Sequence, residues 1–146
     1  MFGQGPTAAI AQYAAAILTR NGRRTKLLDA QGRALADQLL DMSGGDGLLM
    51  MAYGTPYREA TTTLGEAVRL GLPSVLLTQA ASTELGKLAS VAVPVPRGKT
   101  CHVALHGPTL AALEAIALGL AVADPVASTG ALDKLNRLRA ELDPPR

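Results

Sequence analysis

Two short stretches of this chain bring together groups suited to holding a small anion. Gly3-Gln4-Gly5-Pro6-Thr7 combines two glycines, which let backbone N–H groups approach a ligand closely, with a proline and a hydroxyl beside it. Proline fits the first position of a helix, and a helix opening there turns its positive dipole end toward whatever the loop holds. Ala52-Tyr53-Gly54-Thr55-Pro56-Tyr57-Arg58-Glu59 offers the Thr55 hydroxyl, the Arg58 guanidinium and two phenols, Tyr53 and Tyr57. A turn needs less than that. The candidate ligand-binding residues are therefore Gly3, Gln4, Gly5 and Thr7 in one loop and Tyr53, Gly54, Thr55, Tyr57 and Arg58 in the other.

Acid–base chemistry has a sparser set of candidates. Moving a proton between adjacent carbons of a sugar requires a base, with an acid near the carbonyl. Glu114, alone in an apolar stretch, is the base candidate, and His102 or His106 the acid; the plainer alternative is that Glu114 pairs with a cation across a subunit contact. The two histidines are four apart, a helix-face spacing, but no Glu lies between them and no third ligand stands out. No metal site is expected. The single cysteine, Cys101, excludes an internal disulfide and has only His102 beside it as an activator. Gly3-x-Gly5-x-x-Ala8 followed by Asp29 partly imitates a dinucleotide fingerprint, yet it lacks the third glycine and has almost no strand ahead of it. No cofactor is expected.

Elements that position these loops follow from punctuation and periodicity. Met1-Phe2 reads as the stub of a strand, and a helix from Pro6 carries Ile10, Tyr13 or Ala14, and Ile17 on one face before Asn21-Gly22 ends it. Thr25 to Leu28 reads as a short strand and Arg33 to Leu40 as an amphipathic helix. Gly47 to Tyr53 is a continuous apolar run of the kind buried in a parallel sheet. A helix follows from Tyr57 to Leu70, then strands Pro73 to Thr78 and Ser90 to Val95 flank a brief helix, Ser82 to Leu88. Pro94 places the last strand at a sheet edge. The helix from about Pro108 to Asp124 is apolar nearly all round except Glu114, so it needs cover on more than one side, which points to a partner subunit. Thr129 is read as the N-cap of a final helix with Leu132, Leu135, Leu138 and Leu142 as its stripe.

The chain as a whole is one domain of 146 residues, 18% charged and 48% hydrophobic, a composition that argues against disorder. A net charge of +2 gives no broad electrostatic footprint for nucleic acid. Arg20, Arg23, Arg24 and Lys26 form one basic group, Arg97 and Lys99 another; the first reads as solvated surface, and the second as surface or ligand contact. The start MFGQGPTAA has no basic segment leading into an apolar one, and the apolar run Leu110 to Ala123 is too short to cross a bilayer. A cytoplasmic protein without membrane contact is expected. Five strands alternating with helices make an open, doubly wound α/β sheet, in which ligands sit outside the strands' carboxyl ends where strand order reverses.

GQGPTAAIAQYAA at 3–15, AYGTPYREA at 52–60, GLPSVLLTQ at 71–79, LASVAVPVPRG at 88–98 and LDKLNRLRAEL at 132–142 together resemble the sugar isomerase (SIS) domain, specifically the C-terminal sensor domain of RpiR/MurR-type bacterial transcription regulators. The resemblance covers essentially the whole chain. It implies a flavodoxin-like αβα sandwich with a five-stranded parallel sheet, a homodimer or a tetramer, and a sugar phosphate or related small anion bound between the first and third strand ends. The family's phosphate loop reads S-x-S-G-x-T-x-E; the matching positions here are Ala52, Gly54, Thr55, Tyr57 and Glu59, so only the glutamate is kept. Regulators of this type reach DNA through an N-terminal helix-turn-helix domain that is missing from this chain. A sensor, an aldose–ketose isomerase using Glu114, and a ligand-free dimerisation module are the three functions left open.

Overall fold

Leu48–Met51, β1, forms because four apolar residues in a row bury both faces of a strand, and it heads a computed structural model that describes residues 1–98 and 103–143. It pairs in parallel with β2, Ser74–Thr78, from Leu48 opposite Ser74 to Met51 opposite Leu77. β2 pairs in parallel with β3, Val91–Pro94, from Val75 opposite Val91 to Thr78 opposite Pro94. The order is β1-β2-β3, so the proline-bearing strand lies at an edge, as its missing N–H requires.

Three strands form among the described residues, where the sequence suggested five. The two shortfalls have one cause. Met1-Phe2 is too short to ladder, and Phe2 makes only single parallel bridges, to Met50 on one side and Leu28 on the other. With so short a neighbour, Thr25–Leu28 has nothing to pair with beyond Leu28, and it stays outside the strands. The bridging backbone is nonetheless hydrogen-bonded on both sides, Phe2 N–H to Leu49 O at 2.9 Å and Leu28 N–H to Met1 O at 2.8 Å.

Alternation along β1 sorts the core into two faces. Leu48, Met50 and Ala52 join Phe2, Leu28 and Leu76 beneath α2 (Arg33–Leu39), α3 (Arg58–Arg69) and α4 (Glu84–Leu88). Leu49, Met51 and Tyr53 join Leu77 and Val95 on the other face, beneath α1 (Pro6–Arg20) and α5 (Gly107–Ala123). Leu64, Leu76, Leu77 and Met51 are wholly buried. This is an α/β sandwich, with two or three helices on each side of a parallel sheet.

α6 (Pro125–Leu142) begins five residues earlier than an N-cap at Thr129 requires. Asp124 is the N-cap, its carboxylate accepting the Ala127 N–H at 3.1 Å, with Pro125 at the first helical position. Thr129 lies inside the helix and returns its hydroxyl to Pro125 O. The same proline that ends α5 starts α6. Asp124 also meets Arg23 at 3.1 Å, which accounts for part of the basic group beside α1; Lys26 pairs with Asp41 at 2.5 Å. Asp124→Ala is expected to cost about 1 kcal/mol in urea unfolding by removing cap and ion pair together. Asp124→Asn keeps an oxygen for Ala127 and should lose less than half of that.

α6 packs on α1 and α5 but buries none of its residues completely. Leu132 and Leu142 of its expected stripe are exposed, as are Leu118 and Val122 on α5. Among the described residues no single helix is long and apolar enough to cross a membrane.

Candidate functional site

The two loops leave adjacent positions of the sheet and part company. Phe2 is bridged to Met50, so Gly3 and Ala52 exit side by side, yet the first loop runs to α1 on one face and the second to α3 on the other. In open parallel sheets such a divergence at the strands' carboxyl ends is where ligands are generally held.

The first loop is rigid for visible reasons. A Cβ on Gly3 would stand 2.5 Å from Thr7 O and 3.1 Å from the Ala11 Cβ, so only glycine lets α1 come this close. Gly5, at φ 58° and ψ −133°, is the N-cap of α1. Thr7 is buried, its hydroxyl donating to Gln4 O at 2.8 Å and accepting from Gln4 N–H at 2.9 Å. The Gln4 amide donates to Ala30 O at 2.8 Å, tying the loop to the chain beyond Leu28. The Thr7 and Gln4 side chains thus hold the loop's shape. Gly3→Ala should cost about 1–3 kcal/mol, because the opposing atom is backbone and cannot swing away. A fall of several degrees in Tm tests it, and an unchanged Tm would mean the α1 start can shift freely.

The second loop turns at Gly54, φ 76°, and sends its tyrosines to opposite faces. Tyr57 packs against the core under α3 with its ring stacked on Phe2, centroids 6.2 Å apart. Burial raises the Tyr57 pKa, and the neighbouring Glu59 adds to this. Glu59 sits in the first turn of α3, accepts the Gly32 N–H at 3.2 Å, and is held below the usual carboxylate range by its own backbone N–H and that of Gly32. Thr55 and Arg58 are exposed, and Arg58 borders a cavity of about 260 Å³ with Gly32, Arg33 and Thr62.

Tyr53 faces the other way, into a polar cluster that the loops alone did not announce. Its hydroxyl lies 2.7 Å from the Thr109 Oγ1, the Arg97 guanidinium sits 3.8 Å over its ring, and the His106 ring meets it edge-on at 5.8 Å. Arg97 Nη1 is 3.1 Å from His106 Nε2. Arginine can only donate, so Nε2 accepts and the proton of the neutral imidazole is on Nδ1, which faces Thr109 Oγ1 at 3.4 Å. Burial first, and the Arg97 charge second, lower the His106 pKa. Burial raises that of Tyr53, against the opposing pull of Thr109 and Arg97. Thr109 is wholly buried, and the Arg97 N–H donates to the Gln79 Oε1 at 3.4 Å. Thr109 and Gln79 were not anticipated; a lone threonine in the first turn of an otherwise apolar helix was the available signal for the former.

The acid–base candidates do not converge in this chain. Glu114 is exposed and accepts a hydrogen bond from the Tyr13 hydroxyl at 2.5 Å. It is eight residues beyond His106, about 12 Å along the axis of α5. His106 is the N-cap of α5 and residues 103–106 are not helical, so the four-residue spacing of the histidines creates no shared helix face there. His102, Cys101 and Lys99 lie outside the described residues. A larger cavity, about 870 Å³, opens at the opposite end of the sheet beside Met1, Lys26, Leu48 and Val91.

This parallel sheet sandwiched between helices is a fold the chain shares with solved sugar isomerase (SIS) domains. The RpiR transcription factor of Sphaerobacter thermophilus, in its sugar isomerase domain, superposes with a TM-score of 0.83 at 21% identity, over 93% of this chain and 76% of that one. An E. coli CFT073 protein solved in complex with arabinose phosphate gives 0.73 at 20% identity, over 88% and 72%. The Vibrio vulnificus NanR protein complexed with ManNAc-6P gives 0.73 at 20% identity, over 99% of this chain and 55% of that one. No family model and no curated protein sequence matches the chain.

Proposed function

We propose that this chain is the effector-binding domain of a cytoplasmic transcription regulator, taking a sugar phosphate or a related small anion in the crevice between its two loops. The observation that carries the reading is the divergence of Gly3–Thr7 and Tyr53–Arg58 from adjacent strand ends to opposite faces. Support comes from the fold shared with the sugar isomerase domain of RpiR, and from arabinose phosphate and ManNAc-6P as the ligands of two further structures of this fold. Gly3 and Gly5 supply close-approaching backbone, and Tyr53, Gly54, Thr55, Tyr57 and Arg58 line the other side. Gln4 and Thr7 keep the first loop in shape. Binding needs no base, which suits a site from which Glu114 is remote.

The apolar side chains left uncovered on α5 and α6, Leu118, Val122, Leu132 and Leu142 among them, fit a second copy of the chain. In this reading the ligand alters that contact and so biases a DNA-binding domain elsewhere in the protein. A thermal-shift series with arabinose phosphate, ManNAc-6P and the corresponding unphosphorylated sugars tests the binding. At a hundred times its dissociation constant a true ligand adds about 2.7 kcal/mol, a shift of several degrees. Silence across the series from a well-folded dimer would replace the sensor with a ligand-free dimerisation module; a monomer at micromolar concentration by sedimentation would remove the dimer.

A further inference from the structure

We propose that the ligand's anionic group is received by Arg97, with His106 and the start of α5, rather than by the loop that opens α3. This rests on the sugar-phosphate reading and assigns the charge to one end of that crevice.

The Arg97 guanidinium donates to the neutral His106 ring at 3.1 Å, and among the described residues no carboxylate pairs with either. A half-buried arginine normally meets an acid; here it meets a neutral ring and the acid is missing. Arg97 Nε is also shielded from water and meets no acceptor. A guanidinium presents donors in a fork matched to two oxygens of a phosphate or carboxylate, and a shielded donor gains the most from an oxygen brought by a ligand. The fork is aimed in advance. Tyr53 carries it on its ring face, and the Tyr53–Thr109 hydroxyl pair fixes that ring. The α5 N-terminus starts at the same place with no side-chain cap, so its positive end adds to the field.

The competing seat is already charged. At the start of α3 the Glu59 carboxylate already takes its own backbone N–H and that of Gly32. Of the loop's hydroxyls, that of Thr55 is exposed, and Tyr57 packs its ring against the core under α3. An anion at α3 meets Glu59; an anion at α5 meets the Arg97 guanidinium, to which no acid is paired among the described residues. Tyr53 joins the two ends, since its backbone belongs to the second loop and its ring to the Arg97 cluster.

The test uses the full chain, inorganic phosphate as the first probe and arabinose phosphate and ManNAc-6P as the second, with binding read by calorimetry at fixed ionic strength. Arg97→Gln should weaken phosphate on the order of tenfold or more, the value of a charge-assisted pair, and Arg97→Lys, which keeps charge but not the fork, should fall between. Lys87→Gln, an exposed cation on α4, controls for net charge and should change nothing. Circular dichroism and Tm separate lost binding from lost fold, and Arg97→Lys carries the comparison if Arg97→Gln unfolds. Phosphate that does not bind the native chain, or that binds Arg97→Gln as well as native while Arg58→Gln loses it, overturns the assignment. Sugar phosphates that bind native and Arg97→Gln alike overturn it too and leave the sensor reading standing. Inorganic phosphate held through Arg97, with neither sugar phosphate binding, supports the anion centre and removes the sugar.

Discussion

Phe2→Ala is expected to cost about 3–5 kcal/mol of folding free energy, the range for emptying a fully buried aromatic site. Phe2 is 0% exposed and is the only phenylalanine in the chain. It lies between Leu28 and Met50 as the sole bridge joining Thr25–Leu28 to the sheet, so alanine leaves a hole where no neighbouring strand can close in. A domain of this size has about 5–15 kcal/mol in total, and a large share would go with one ring. The second loop would feel it as well, because Tyr57 stacks on the ring that is lost. Urea unfolding gives the cost directly; Leu40→Ala, at 80% exposed, is the control and should stay within about 0.5 kcal/mol. A cost below about 1 kcal/mol would mean that α1 can settle into the gap and that the short first strand contributes little.

That prediction arises where sequence and structure part. The helices are legible because apolar spacing, glycine stops and proline starts all act locally: α1 ends one residue before Asn21, and Thr83 caps α4 through the Gly86 N–H as such a residue should. Strands are not local. Thr25–Leu28 has the composition of a strand, and what it lacks is a neighbour long enough to ladder with, which its own residues do not record. Pro125 illustrates a different ambiguity, because a proline that ends one helix has the backbone geometry to begin the next, and the choice of Asp124 over Thr129 as cap depends on the turn between them.

The site divides along the same line. Glycine and proline announce both loops, and the period of two along β1 already places Tyr53 on the face of Leu49 and Met51. Nothing in sequence spacing puts Arg97 over Tyr53, 44 positions away, or brings Thr109 to its hydroxyl. Those meetings depend on β3 and α5 docking against the sheet. Their polar character was visible and their partners were not. Glu114 shows the opposite error: an acidic residue in an apolar helix suggests burial, but α5 buries only Thr109, Leu113 and Ala117 fully, and Glu114 falls on its open side.

A chain with a free Met1 amine should lose stability as the pH is lowered from 8 to 6, by about 2.7 kcal/mol. The ammonium is buried and donates to Lys26 O at 2.8 Å; burial brings its pKa from the ordinary 8.0 down to about 6, against a smaller opposing pull from Asp46. Above pH 8 the amine is neutral in both the folded and the unfolded chain, and no penalty exists. Between 8 and 6 the unfolded chain takes up the proton first, so unfolding is favoured by about 1.36 kcal/mol per unit over two units. Below 6 both states are protonated and this loss is complete. His106 acts in the same direction in a lower window. Its folded pKa lies below the usual 6.5, so stability falls further once the pH drops under that value. The carboxylates held low, Glu59, Glu66 and Asp41, act only in the acid range beneath both. Stability measured in urea at steps from pH 8.5 to 5, at one ionic strength, resolves the two groups. His106→Gln should keep the whole of the first decline and lose the second. A curve flat from 8 to 6 would mean that water from the cavity beside Met1 and Lys26 reaches the amine and leaves it solvated in the folded chain.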